Sequence, residues 1–334
     1  MMRGGLLGLI DGLQELHARG ETGVLGIVVG TTGSTYRKAG ALVLLDRIGM
    51  RHGAVSGGCL EPEIEAKARA VLTTERAACL DIDTRTDEDL LFGSGTGCRG
   101  KIRLLLLPQP PGAPLSRALA MLSRSFEPLR LELWVSGAHT GSGCTEVAGI
   151  RLAWRSDGTV AAEPAAGAAE KITLPVQSPP RVLLFGAGPE TDSLYAFLRR
   201  LGWRTSVIEH RGRWLAYARD AGIEHSIEHP PETAALVWAA EPADAGIIMT
   251  HNFTLDAAHL KYCAASSLPY IGLLGPPARR DQLLAEVGQA VAERLQSRLH
   301  APVGLPLGGS GPEAVSLAIV AELQRELALA GRLH

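Results

Sequence analysis

The stretch RVLLFGAGPE, residues 181–190, decides the fold of the carboxy-terminal half of the chain. An apolar run of strand length ends at two closely spaced glycines, and Leu194, Phe197, Leu198 and Leu201 then recur at helical spacing. A strand that turns through glycine into a helix is the opening unit of a doubly wound sheet. Gly186 supplies the tight turn, and Gly188 would let a pyrophosphate approach backbone N–H groups. Working outward, strands are expected at 205–208, 245–249 and 270–274 with helical stretches between them. This alternation gives a Rossmann-type doubly wound parallel sheet over residues 181–334. A last helix is expected after a capping box of Ser310 and Glu313, with Pro312 in its first turn. Its apolar stripe is Val315, Ile319, Leu323 and Leu327.

Glu209 ends the second expected strand and lies 209 − 186 = 23 residues past the first glycine, where an acid that binds a ribose is expected. Gly186, Gly188 and Glu209 are therefore the candidate contacts of NAD(P). Two features oppose that reading. Thr191 stands in place of a third glycine, and Glu190 brings a negative charge to the helix start, where a phosphate would sit. His251 leaves the 245–249 strand at its carboxyl end, the edge where open α/β sheets collect ligands. Asp256 and His259 follow at i and i+3; one reading joins them with His251 as a cofactor or metal site, and the plainer one has Asp256 beginning a helix and His259 on its solvated face.

Upstream, residues 157–180 are rich in Ala, Gly and Pro without an apolar period, and are expected to form a linker. Residues 1–156 read as a small α+β domain. Strands are expected at 24–29, 41–45, 102–107, 129–135 and 147–154, and a helix at 61–72. An amphipathic helix carrying Leu6, Leu9, Ile10, Leu13 and Leu16 precedes them. The 334 residues suit two domains, and 46% apolar with 20% charged residues is a globular balance. Lys plus Arg less Asp plus Glu is 33 − 35 = −2, which is no electrostatic footprint for nucleic acid or an anionic membrane. No apolar run approaches the ~20 residues of a membrane span, and Asp11 interrupts the only run resembling a secretory signal. The five cysteines form no CxxC pair, so reduced thiols in the cytoplasm are expected rather than a disulfide scaffold.

Three glycine loops in the first domain carry the chemistry. TTGSTYRKAG, 31–40, holds Arg37 and Lys38; SGGCLE, 56–61, holds Ser56, Gly57, Gly58, Cys59 and Glu61; GSGTGCRGK, 93–101, holds Cys98 and Arg99. Cys59 precedes an expected helix, where free N–H groups and the helix dipole attract an anion. Together the loops offer soft sulfur, positive charge and backbone donors, which suits a ligand with an anionic tail and a thiophilic metal. Cys98 and Cys59 are the candidate metal contacts. Taken from spacing alone, the plainer alternative is that the cysteines are small packed residues and the glycines mark turns.

The ordered segments GSTYRKAGA, SGGCLEPEIEAKA, GTGCRGKI, LLFGAGPE, IIMTHNFTLD, YIGLLGPPARR and PVGLPLGGSGPEAVSLAIVAEL resemble the xanthine dehydrogenase accessory protein family, XdhC/CoxI. The resemblance spans nearly the whole chain and implies a small amino-terminal domain followed by a Rossmann-type domain. It also implies a maturation factor that binds molybdenum cofactor (molybdopterin), assists its sulfuration and delivers it to a molybdenum hydroxylase. The family's first cysteine motif falls on Gly57, Gly58, Cys59 and Glu61. Its second falls on Cys98 and Gly100, with Arg99 between them. Pro189 stands where the family has the histidine of a GAGH-like turn, and Glu209, His210 and Arg211 stand at its Asp-rich strand end. The reading is a cofactor-binding chaperone rather than a catalyst. Its partners would be a molybdenum hydroxylase client and a cysteine desulfurase, and it could form a homo-oligomer. The alternatives are an NAD(P)-dependent oxidoreductase, with His251 as acid or base, and an adaptor whose Rossmann domain is only structural.

Overall fold

The computed structural model describes residues 3–84, 100–161, 170–223, 225–230 and 242–333. Contacts divide the chain into two compact units, one of Gly4–Ser178 and one containing Pro179–His334.

The first unit is built on a five-stranded antiparallel sheet. Its strands are β1 (Gly23–Gly33), β2 (Leu42–Leu45), β3 (Met50–His52), β4 (Ala78–Asp83) and β5 (Gly100–Gln109), in the order β3-β2-β1-β5-β4. The β1–β5 ladder runs from Gly23 opposite Gln109 to Gly33 opposite Gly100. Side chains alternate between the faces of a strand. Leu25, Ile27 and Val29 accordingly enter one core with Leu105 and Leu107, while Val24 and Val28 enter another with Leu104 and Leu106. Both faces of the central strands are covered, and so these strands read as continuous apolar runs.

A second antiparallel sheet has the order β8-β7-β6-β9, from β6 (Leu129–Trp134), β7 (Gly143–Val147), β8 (Ile150–Trp154) and β9 (Lys171–Val176). It corrects two expectations. The run 147–154 is not one strand but a hairpin, because Ala148 (φ 50°) and Gly149 (φ 74°) both adopt the left-handed conformation that a tight two-residue turn requires. The expected linker 157–180 contains β9, which completes the sheet by pairing Leu129–Trp134 with Val176–Lys171. The chain leaves this unit only at Ser178, whose hydroxyl donates to the Phe126 carbonyl at 2.7 Å.

The second unit is a parallel sheet in the order β12-β11-β10-β13-β14-β15. Its strands are β10 (Arg181–Phe185), β11 (Arg204–Ile208), β12 (His225–Ile227), β13 (Ala245–Ile248), β14 (Ile271–Leu273) and β15 (Leu299–His300). Helices Thr191–Leu201 and Pro312–Leu329 contribute Leu194, Leu198, Ile319, Leu323 and Leu327 to the core on one face. Helices Phe253–Ala265 and Pro277–Val287 contribute Leu260, Cys263 and Leu283 to the core on the other. The sheet is thus the doubly wound one read from the sequence. Strand order reverses between β10 and β13, which places the crevice of the fold at their carboxyl ends. The expected capping box is absent from the last helix. Gly311 (φ 91°) takes the cap position with no side-chain cap bond, which leaves Ser310 one residue too early.

Candidate functional site

The described parts of the motif loops of the first unit lie toward one end of the five-stranded sheet. β1 ends there at Gly33, β5 begins there at Gly100, and β4 ends there with Asp83 opposite Lys101. Beyond His52 the chain runs toward the same end, and helix Glu61–Thr74 then returns it to Ala78 at the opposite end. The amino terminus of that helix therefore lies near the Gly33–Gly100 edge. A Cβ on Gly100 would sit 2.4 Å from the Ser34 carbonyl oxygen and 2.7 Å from Thr35 Cγ2. Only glycine lets the 34–40 loop close onto β5. Thr84 clamps the same spot, its N–H donating to the Gly100 carbonyl at 2.9 Å and its hydroxyl oxygen accepting the Gly100 N–H at 3.1 Å. Thr84 and Gly100 are thereby held together. Cys98 and Arg99, expected at the site, fall outside the described residues.

Ser56 and Glu61 shape the loop that carries Cys59. Glu61 Oε1 accepts the N–H groups of Ser56 at 3.0 Å and Val55 at 3.4 Å, while Oε2 accepts the Ser56 hydroxyl. Ser56 Oγ in turn accepts the N–H groups of Gly58 at 3.2 Å and Leu60 at 3.1 Å. Burial alone would raise the Glu61 carboxyl, but the donors from Ser56 and Val55 outweigh it and hold the group below its usual range. Gly58 (φ 114°) makes the turn, and a Cβ at Gly57 or Gly58 would meet nothing within 4 Å. The face of the loop is open, and the Cys59 thiol is exposed and free. Arg37 and Lys38 are exposed on the 34–40 loop, which leaves β1 at that end. An exposed thiol, two cations and an open glycine turn thus share one sheet end. Among the described residues no three His, Cys, Asp or Glu side chains converge on a metal position.

The crevice of the second unit is closed by its own side chains. Gly186 (φ 89°) turns against Thr250, whose Cα would lie 2.7 Å from an added Cβ. The loop N–H groups are taken: Gly186 donates to the Ile208 carbonyl at 2.8 Å, Ala187 to Glu209 Oε2 at 3.0 Å and Gly188 to Thr191 Oγ1 at 2.9 Å. Glu209, 2% exposed, also accepts the Arg211 N–H at 2.8 Å and Nη2 at 2.6 Å. Arg211 reaches onward to the carbonyls of Thr250 at 2.9 Å and Ala187 at 3.2 Å, tying together the ends of β10, β11 and β13. The carboxylate expected to face a ribose is instead committed to the loop itself.

His251 (φ 55°) places Nε2 3.0 Å from Glu190 Oε2. The bond from Glu190 raises the imidazole above its ordinary value against the opposing effect of burial. Burial would raise the Glu190 carboxyl, but His251 and the residue's own N–H hold it low. A Cβ on Gly188 would come within 2.6 Å of His251 Nε2, so the imidazole fills the side of the turn that a pyrophosphate would approach. Asp256, 1% exposed, accepts the Thr250 N–H at 3.2 Å, the Thr250 hydroxyl at 2.5 Å and Arg279 Nη2 at 2.7 Å. The cap of helix Phe253–Ala265 is Asn252, which accepts the Leu255 N–H at 3.0 Å, while Asp256 sits inside the first turn. His259 corrects another expectation. It is 3% exposed with its ring 5.1 Å from Phe185, and burial lowers its pKa to about 4, so it is a neutral packed residue. Thr250 and Arg279 carry no sequence signal of their own, since their importance comes only from the buried Asp256 they satisfy. In this geometry the loop does not fit a dinucleotide.

Residues 16–83 match the XdhC and CoxI family, and residues 182–323 match the XdhC Rossmann domain. A Bacillus subtilis (strain 168) protein, named as a probable subunit of xanthine dehydrogenase, is 28% identical over 337 residues, covering 94% of this chain and 95% of the relative. A crystal structure described as a xanthine dehydrogenase from Bacillus halodurans is similar at a TM-score of 0.77 and 27% identity, covering 96% of both chains. Both units match the same family and the relatives span both of them, so the chain belongs to the XdhC and CoxI family.

Proposed function

We propose that this protein is an accessory factor for a molybdenum hydroxylase such as xanthine dehydrogenase. It takes molybdenum cofactor as cargo, assists its sulfuration and inserts it into the client. Family membership supports the accessory role, as do the names of relatives that refer to xanthine dehydrogenase. The observation that carries the cargo reading is the exposed Cys59 thiol on an open glycine turn, at the same sheet end as Arg37 and Lys38. Molybdopterin presents a phosphate, a dithiolene and a thiophilic metal, a set matched by cations, backbone and thiol.

In this reading Cys59 and Cys98 meet the metal end. Arg37, Lys38 and Arg99 face the phosphate, and Gly57 and Gly58 allow close approach. The protein binds and hands over rather than catalysing, with a cysteine desulfurase as the class of partner that supplies sulfur. It works in the cytoplasm, where thiols stay reduced. Among the described residues no helix is long and apolar enough to cross a membrane. The test is the molybdenum content and absorbance spectrum of protein purified from a host that makes the cofactor. Near-stoichiometric molybdenum, lost when Cys59 and Cys98 are both changed to Ala, supports the reading. Background molybdenum in the parent overturns it.

A further inference from the structure

We propose that the 186–190 loop of the Rossmann unit is latched shut against dinucleotides, with the Glu190 carboxylate held by His251 where such folds seat a pyrophosphate. A glycine turn between a strand and a helix binds pyrophosphate by offering free N–H groups and a side without Cβ atoms. The turn itself offers neither. The N–H groups of Gly186, Ala187 and Gly188 go to Ile208, Glu209 and Thr191, and Pro189 has none. The open side of Gly188 faces His251 Nε2 at 2.6 Å and Glu190 Oε2 at 3.2 Å from where a Cβ would stand. Gly188 is therefore still required to be glycine, but to admit an imidazole rather than a phosphate.

The latch is fixed from both sides. On one side the Ser316 hydroxyl, from the last helix, donates to the Glu190 carbonyl at 3.2 Å, and its oxygen lies 2.7 Å from Ser193 Oγ. On the other side His251 follows Thr250, whose N–H and hydroxyl go to Asp256, itself held by Arg279. The charged groups around the imidazole are Glu190, Asp256 and Arg279. Arg211, the cation nearest in sequence to where a 2′-phosphate would lie, is already bound to Glu209 and to the carbonyls of Ala187 and Thr250. The second unit thus keeps the dinucleotide fold while its own carboxylates take the anion positions. This inference concerns a different unit from the cargo site and stands apart from the proposed function.

The test is calorimetry of the intact chain with NAD, NADP and inorganic pyrophosphate. The parent should show dissociation constants weaker than about 1 mM for all three. Glu190→Gly removes both charge and bulk, and Glu190→Gln removes the charge alone. At least one of them, with a native melting temperature, should bind pyrophosphate or NAD at least tenfold tighter than the parent. His251→Asn, which frees the carboxylate without removing it, should give a smaller gain. Micromolar binding of NAD or NADP by the parent would overturn the proposal. So would a folded Glu190→Gln protein with parental affinity alongside a Glu190→Gly protein that gains nothing. Molybdenum content, read on the same preparations, reports separately on the cargo site.

Discussion

The guanidinium of Arg211 lies 2.6 Å from the carboxylate of Glu209, two residues back in the chain, and the pair sits inside the turn that a nucleotide would occupy. Removing Arg211 leaves a buried carboxylate without its cation and frees the carbonyls of Ala187 and Thr250. Arg211→Ala should cost about 3 kcal/mol in urea unfolding. Arg211→Lys should recover only part of this, because an ammonium cannot reach three acceptors as a fork does. Burial would raise the Glu209 carboxyl, but Arg211 and the N–H groups of Arg211 and Ala187 outweigh it and lower it. A lowered carboxyl stabilises the fold above its unfolded value and loses that effect as the pH falls through the folded one. The gap between parent and Arg211→Ala should therefore close below about pH 4. A loss under about 1 kcal/mol at neutral pH would show the pair to be incidental.

The four central strands of the second unit are legible because they are local apolar runs, and Arg181–Phe185 falls where its residues place it, whereas the short edge strands β12 and β15 carry no such run. β9 was illegible for the opposite reason. KITLPV contains Pro175 and follows an Ala- and Gly-rich tract, and it becomes a strand only by pairing with β6, some forty residues away. At the site, Cys59, Arg37 and Lys38 could be named from residue type, but their common sheet end follows from strand register, which no local pattern encodes. The burial of His259 is hidden from the sequence for a related reason. Helix Phe253–Ala265 buries Asp256, Ala257, His259, Leu260, Cys263 and Ala264, and so it shows little amphipathic contrast.

His251 combines a left-handed backbone with a half-exposed ion pair, and the two can be separated. Ala at φ 55° retains the strain and loses the pair, whereas Gly loses the pair and relieves the strain. His251→Gly should be more stable than His251→Ala by about 1 kcal/mol, a difference of roughly 2–4 °C in melting temperature. The imidazole is raised by Glu190, so the pair is fully formed below the unfolded value of about 6.5 and fades as pH rises through the folded one. The parent's advantage over the Gly variant should thus be larger at pH 6 than at pH 9. A pH-independent difference would indicate that the imidazole acts by packing alone.

Gly100 holds the 34–40 loop against the start of β5, and Gly30 on the paired strand offers a control. A Cβ on Gly100 meets a backbone oxygen at 2.4 Å, which no rotamer change relieves, whereas a Cβ on Gly30 comes no closer than 3.9 Å to Arg103. Gly100→Ala should cost about 1–3 kcal/mol by overpacking. Gly30→Ala should stay within about 0.5 kcal/mol of the parent. Molybdenum retained per folded molecule should fall in the Gly100 variant alone, because the loop bearing Arg37 and Lys38 must move. Equal retention in both variants would remove that loop from the cargo site.

Glu61 and Cys59 separate positioning from contact. The Cys59 thiol is exposed and packs little, so Cys59→Ala should leave stability within about 0.5 kcal/mol while cofactor retention falls. Glu61 does not face the open side of the turn. Its carboxylate gathers donors from Val55 and Ser56, and Ser56 in turn fixes Gly58 and Leu60 on either side of Cys59. Glu61→Gln puts an amide donor where an acceptor is needed, which should cost about 1–2 kcal/mol and loosen the loop. Amide exchange should then quicken at Gly58 and Leu60, and cofactor retention should fall although the thiol is intact. The Glu61 carboxyl is held low by these donors despite burial, so in the parent the same loosening should set in as the pH falls below about 4. Parental retention by folded Glu61→Gln protein, with the exchange at Gly58 and Leu60 quickened, would mean that the cargo does not depend on how the thiol is presented.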